Sequence, residues 1–171
     1  MKFNKKKLLI KIDKSFFLKI IDKNDITKEY INWMNDYDVV KYTQQKHIIH
    51  NKKNVTDFVE NKFISVNDFL FGIFFKKKHI GNIKLGPVKW LKKSSEISFI
   101  IGKKNLWGQG IGYTSTLKVM EFALNKIGIV EITATYYNDN IGSAKIFNKC
   151  GFSLVKKVNN LTLVKYKLKI D

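Results

Sequence analysis

Apolar and polar positions alternate along the chain in a way that lays out most of its elements. Residues 8–12 and 15–21 are apolar runs separated by Asp13-Lys14, a pattern for two strands around a tight turn. Asp25 or Thr27 can cap a helix through Tyr30, Ile31 and Trp33-Met34, and Asn35-Asp36 interrupts it. Residues 37–50, with Tyr37, Tyr42, His47 and His50, are mixed and polar and read as loop and short helix. Val55, Phe58, Val59 and Ile64 recur at helical spacing through 52–64. The runs FLFGIFF (69–75) and HIGNIKL (79–85) flank three lysines as a β-hairpin would, and EISFII (96–101) is a further strand. A glycine-rich segment leads into a helix with Leu117, Met120, Leu124 and Ile127 as its apolar stripe. Residues 129–137 form a strand, and Ile141, Ala144 and Phe147 mark a short helix closed by Gly151. In the last strand Thr162, Val164, Tyr166, Leu168 and Ile170 share one face, and Lys165, Lys167 and Lys169 the other. The order is strands, then strand–helix–strand–helix–strand–strand, which predicts an α/β fold with a mixed sheet of about seven strands covered by helices.

Composition narrows the class. The 171 residues contain one proline and no repeat or low-complexity linker, so 1–171 reads as a single domain with the basic stretch 1–7 as its only candidate tail. A hydrophobic share of 44% and an aromatic share of 13% exclude a disordered chain. The lone Cys150 excludes an internal disulfide framework and a cysteine zinc site, and reads as a packed small residue without an activating base for thiol chemistry. His47, His50 and His79 do not form a metal-ligand set, so no metal is expected. No apolar run reaches the ~18 residues of a membrane span, and the N-terminal apolar stretch is too short and lysine-interrupted for a signal peptide; a cytoplasmic protein is expected. The net charge of +18 raises a nucleic-acid interaction, and aromatic residues alternating with lysine on several strands suit a stacking platform. Yet all 32 basic residues are lysine, with no arginine to read guanine edges, and the heavy use of Lys, Asn and Ile is that of A/T-rich codons. Nucleic acid is therefore disfavoured as the partner, while small anionic ligands remain favoured.

The segment with chemical content is Trp107-Gly108-Gln109-Gly110-Ile111-Gly112, between a strand and a helix. Its glycines let backbone approach a ligand, and the helix start aims unpaired N–H groups and a positive dipole end at the same point, which suits a phosphate or pyrophosphate. A tight turn without a ligand would read the same. No Lys-Ser/Thr follows, so this is no Walker loop, and the preceding strands exclude the first turn of a dinucleotide fold.

Three blocks together make the resemblance specific. Residues 96–112, residues 138–152 (NDNIGSAKIFNKCGF) and residues 25–36 (DITKEYINWMND) resemble, in order, the acyl-CoA loop, the Asn-x-x-Ser block and the opening helix of the GNAT superfamily of acyl-CoA-dependent N-acyltransferases. The branch resembled includes ribosomal-protein N-terminal acetyltransferases and related amino-sugar N-acetyltransferases. The resemblance implies a sheet with helices on both faces and a splayed strand pair at the coenzyme site. It implies that acetyl-CoA is held by the backbone of Trp107, Gly108, Gln109, Gly110, Ile111, Gly112 and Tyr113, by the strand edge at Phe99, Ile100 and Ile101, and by Asn140, Ser143 and Phe147. The amine would enter through a gap between residues 30–50 and the 85–92 loop, where Trp33, Tyr42 and Trp90 are candidate lining residues, though each also reads as a packing residue. Two departures stand out: Trp107 replaces Arg or Gln, and Phe147 replaces a tyrosine able to donate a proton.

Glu96 lies eleven positions before Trp107, the spacing of the catalytic glutamate in histone-acetylating members, and the resemblance makes it the candidate base for an ammonium acceptor. The competing reading is a solvated carboxylate, or one paired with Lys84 or Lys92. Ser143 is a candidate donor to the departing thiolate, or a helix-capping contact. Tyr136, Tyr137 and Tyr166 are other possible acids, or core and rim residues. The resemblance thus implies an N-acetyltransferase, monomeric or homodimeric, expected to act by direct attack of a primary amine on the thioester. The acceptor is an amino sugar, nucleotide-linked, or alternatively a protein N-terminus or lysine. The other classes are a basic nucleic-acid-binding module and a catalytically silent coenzyme A binder.

Overall fold

The computed structural model describes residues 4–168. Its elements, in chain order, are β1 (Leu9–Lys11), β2 (Phe16–Ile20), α1 (Lys28–Met34), α2 (Tyr37–Val40), α3 (Lys52–Ile64), β3 (Phe69–Phe75), β4 (Lys78–Leu85), β5 (Ser94–Ile101), α4 (Ile111–Ile127), β6 (Glu131–Tyr137), α5 (Ile141–Lys149), β7 (Ser153–Val158) and β8 (Leu161–Lys167). One eight-stranded sheet runs β1-β2-β3-β4-β5-β6-β8-β7. All neighbours are antiparallel except β5 and β6, which α4 connects as a parallel crossover.

Local chemistry explains the boundaries. The carboxylate of Asp13 accepts the N–H groups of Ser15 and Phe16 at 2.6 and 2.8 Å, which fixes the β1–β2 turn. Of the two candidate caps for α1, Thr27 does the capping, its hydroxyl accepting the Tyr30 N–H at 3.1 Å, while Asp25 closes the preceding 3-10 turn. Asp36 caps α2 directly, so the segment after Asn35 restarts as the short helix expected within 37–50. Both side-chain ends of Asn35 bind the backbone of His50, stapling the ends of this excursion. Asn51 and Asn54 form a reciprocal cap on α3. The basic stretch at the N-terminus is anchored where it is described: Lys5 donates to the carbonyls of Lys62, Phe63, Ser65 and Asp68 and thereby closes the C-terminal end of α3.

The sheet carries a core on each face. Strand β3 is buried on both sides, as its unbroken apolar run requires. On one face α1, α2 and α3 pack Tyr30, Trp33, Val40 and Val59 against Leu70 and Phe74. On the other, α4 and α5 pack Val119, Met120, Phe122 and Phe147 against Ile83, Ile97 and Ile132. One expectation changes here, the apolar stripe of α4. The buried side of α4 is Ile111, Gly112, Ser115, Thr116, Val119, Met120, Phe122 and Ala123, whereas Leu117, Leu124 and Ile127 are half-buried. An eighth strand, β7, adds an edge exposed along its whole length, with a bulge between Leu154 and Lys156. Ile170 and Lys169 of the last-strand pattern lie outside the described residues. No helix among the described residues is long and apolar enough to cross a membrane.

Candidate active site

The site is made by a separation of strands. Pairing of β5 with β6 consists of Ser94–Glu131, Ser95–Ile132 and Glu96–Thr133 and ends there. From Ile97 to Ile101, β5 stays paired with β4 on its other side only. Phe99, Ile100 and Ile101 therefore lie on a stretch with no strand partner on one side, where the Ile101 carbonyl accepts the Trp107 indole N–H, and to such an edge an extended amide-bearing chain can add. Alternation sends Phe99 toward α5, its ring 5.8 Å from that of Phe147, while Ile100 packs with the α1–α2 cluster on the opposite face.

The glycine loop lies beyond the end of β5. Gly108 and Gly110 adopt φ of +78° and +79° with open space where a Cβ would stand. Gly110 is the N-cap of α4 and offers no side chain; the first backbone bond of the helix joins the Thr114 N–H to the Gly110 carbonyl at 2.9 Å. The N–H groups of Ile111, Gly112 and Tyr113 precede it and have no intrahelical acceptor, so a seventeen-residue helix directs its dipole at exposed glycine backbone. Trp107, 44% exposed, donates its indole N–H to the Ile101 carbonyl at 2.8 Å and ties loop to strand. Gln109 donates to the Asn105 carbonyl within the loop. Lys103 pairs with Glu29 at 2.9 Å and Lys104 with Asp36 at 2.7 Å, which moors the loop to α1 and α2. Hydrogen bonds to Asp36 and then Asp38 raise the Lys104 pKa above the ordinary lysine value.

The candidate catalytic groups border this gap. Glu96 is the last β5 residue paired with β6; its side chain is exposed, and its carboxylate has no hydrogen-bond or ion-pair partner among the described residues. Neither Lys84 nor Lys92 engages it. Asn140 caps α5, its Oδ1 accepting the Ser143 N–H at 3.0 Å. The cap is thus supplied by Asn140, and the half-buried Ser143 hydroxyl has no partner among the described residues. Phe147 is 3% exposed and stacks on Tyr136 at 5.9 Å, with Phe152 edge-on at 5.2 Å. It belongs to the wall between β5, β6 and α5. Cys150 is buried, and desolvation pushes its thiol up to about 11, which keeps it protonated and unreactive at neutral pH.

The three expected acceptor residues separate. Trp33 is 5% exposed, stacked on Tyr30 and packed onto Gly102, where no Cβ would fit. It is a core residue that fixes the exit of β5 rather than a lining residue. Trp90 donates its indole N–H to Asn67 at 2.8 Å, in the loop that precedes β5, at the opposite end of that strand from the glycine loop. Only Tyr42 reaches the open side of β6, its ring 6.2 Å from Tyr137. Gly102 escaped the sequence reading although a glycine at a strand exit signals close packing. Behind Trp33, His79 bonds Gly81 and Asn82 through Nε2 and is enclosed by Tyr30, Trp33 and Phe74; burial lowers its pKa. No cluster of three His, Cys, Asp or Glu residues suited to a metal occurs among the described residues.

A family profile described as "Acetyltransferase (GNAT) domain" matches residues 17–153. The chain belongs to this GNAT acetyltransferase family. It is accordingly an N-acetyltransferase that takes acetyl-CoA as acyl donor. Solved GNAT structures share its fold. RimL, a ribosomal L7/L12 α-N-protein acetyltransferase in complex with coenzyme A, is 12% identical over 94% of this chain and 98% of its own, with a TM-score of 0.84. The microcin C7 self-immunity acetyltransferase MccE, in complex with acetyl-CoA and AMP, is 17% identical over 91% and 94%, at 0.78. A spermidine N-acetyltransferase from Vibrio cholerae, in complex with CoA and spermine, is 14% identical over 91% and 96%, also at 0.78. Comparison with curated protein sequences gives no match.

Proposed function

We propose that this GNAT enzyme acetylates the primary amine of a nucleotide-linked amino sugar. The observation that carries the placement of the chemistry is the gap that opens between β5 and β6 immediately after Glu96–Thr133, with an unpartnered carboxylate at its mouth. The pyrophosphate of the donor sits on the N–H groups of Ile111, Gly112 and Tyr113, reached through the side-chain-free Gly108 and Gly110. The pantetheine arm adds to the free edge of β5 at Phe99–Ile101. The donor supplies a thioester carbonyl. The amine approaches from the open face of β5 and β6, and Glu96, directly or through one water, takes the proton that the ammonium must lose before it can attack. The hydroxyl of Ser143 donates to the sulfur of the departing coenzyme A thiolate. Phe147 shapes the wall and moves no proton, because it carries none to give.

The acceptor class rests on charge. A surface of +18 attracts anions and repels polycations, which favours a phosphate-bearing acceptor over a polyamine. The AMP held by MccE supports a nucleotide on this fold. The likeness to RimL favours a second reading, a protein N-terminus. Thiol release from acetyl-CoA, measured over a panel of nucleotide amino sugars, peptides with free N-termini and polyamines, separates them. Highest kcat/KM on the nucleotide amino sugars is expected; a peptide preferred over all of them transfers the assignment to the second reading.

A further inference from the structure

Beyond the gap on the same sheet face, Lys46 carries a charge that an aromatic ring contacts but no carboxylate answers. Lys46, on the 3-10 turn Gln44–His47 between α2 and α3, places its ammonium 4.9 Å from the ring centroid of Tyr137, the last residue of β6. The Tyr42 ring lies 6.2 Å from that of Tyr137 at 39°. Lys41 stands 5.6 Å over Tyr42 but is paired with Asp38, and Lys104 is held by Asp36 and Asp38. Lys46, although half-buried, has no carboxylate partner among the described residues. Carboxylates in the neighbourhood are Glu96 on the sheet face and the exposed Asp139 at the β6–α5 turn, and neither engages it. Tyr137 and Thr133 lie on one face of β6 by alternation, and Thr133 registers with Glu96. Four residues of strand separate the two levels, about 13 Å at 3.3 Å per residue. A molecule with its amine at Glu96 can therefore reach Lys46 with a group about 13 Å farther on, the span of a sugar together with its diphosphate.

We propose that Lys46, with the hydroxyls and ring faces of Tyr42 and Tyr137, is the phosphate-reading end of the acceptor site and selects phosphate-bearing amines against polyamines. The inference rests on the acceptor lying on this face, as proposed above. The ammonium supplies the counter-charge, the phenols supply donors, and the rings accept the flat face of a sugar or base. A polyamine would meet an uncompensated cation here.

The test is calorimetric titration of uridine diphosphate and of spermidine into the full chain saturated with coenzyme A, for the wild type, Lys46→Met and Lys46→Glu. Saturation keeps the diphosphate off the glycine loop. The expected result is additive binding of the diphosphate to the wild-type complex, weakened at least tenfold in Lys46→Glu and less in Lys46→Met, with spermidine bound only by Lys46→Glu. Unchanged coenzyme A affinity shows that each variant is folded. No diphosphate binding to the wild-type complex, equal binding by Lys46→Glu, or tighter binding of spermidine than diphosphate by the wild type overturns the proposal. Failure of coenzyme A itself to bind would instead remove the placement of the donor, and this inference with it.

Discussion

Two glycines with the same backbone conformation separate the cost of strain from the loss of a ligand site. Gly110 opens α4 at φ +79° and Gly128 closes it at φ +70°, and a Cβ at either meets nothing within 4 Å. Alanine at each position therefore costs only the left-handed conformation, about 1–2 kcal/mol. For a chain of this size that corresponds to a fall in Tm of about 2–8 °C, at about 2–4 °C per kcal/mol. A domain with about 5–15 kcal/mol of stability remains folded at 25 °C after such a loss. The two variants should melt alike. They should differ in donor binding, because the Cβ of Gly110→Ala enters the space assigned to the pyrophosphate, whereas Gly128→Ala changes the far end of the helix. Isothermal titration with acetyl-CoA should show affinity lowered at least about tenfold, about 1.4 kcal/mol, in Gly110→Ala and unchanged in Gly128→Ala. Equal affinities in both variants, with matching melts, would refute the placement of the pyrophosphate on the glycine loop.

Other outcomes follow from the same geometry. Glu96→Gln should lower turnover by roughly two to four orders of magnitude with acetyl-CoA affinity unchanged, and raising the pH should restore part of it as more acceptor becomes neutral; wild-type turnover and pH profile would make Glu96 a structural carboxylate. Gly102→Ala drives a methyl group onto the Trp33 ring and should cost about 1–3 kcal/mol in chemical denaturation; a neutral result would show that the β5 exit is not packed as described. Burial lowers the His79 pKa below 6.5, so below that pH the unfolded chain binds a proton that the folded chain refuses, and stability is lost as pH falls from 6.5 toward the folded value. The wild type should therefore lose urea midpoint faster than His79→Gln in that window, and parallel acid limbs would contradict a neutral buried imidazole.

The sequence made legible what depends on local period and on motif. The α3 helix over 52–64, the β3–β4 hairpin and the strand–glycine–helix order all follow from spacing, because alternation and helical stripes are properties of neighbouring residues. What depends on the third dimension was not legible. The α4 stripe shifted because the helix is enclosed by the sheet and α5 together, which buries small polar residues such as Ser115 and Thr116 that no hydropathy pattern marks. Strand β7 is expected from the strand–strand end of the predicted order, but its bounds carry no mark, because SLVKKV has no buried face and no alternation. At the site, the glycine loop and the Asn140–Ser143 block were marked by residue type. The acceptor side was not, because aromatic residues serve cores and pockets alike: Trp33 packs on Gly102, Trp90 binds Asn67, and only Tyr42 stands on the open face. Lys46 had no signal at all among 32 lysines.

The most direct test of the central claim is release of coenzyme A thiol from acetyl-CoA by the purified chain, with the N-acetylated product quantified by mass spectrometry. With a nucleotide-linked amino sugar present, thiol and acetylated amine should appear in equal amounts, neither should appear without the amine, and Glu96→Gln should abolish most of both. A chain that binds acetyl-CoA yet releases no thiol with any nucleotide amino sugar, peptide N-terminus or polyamine would contradict the account.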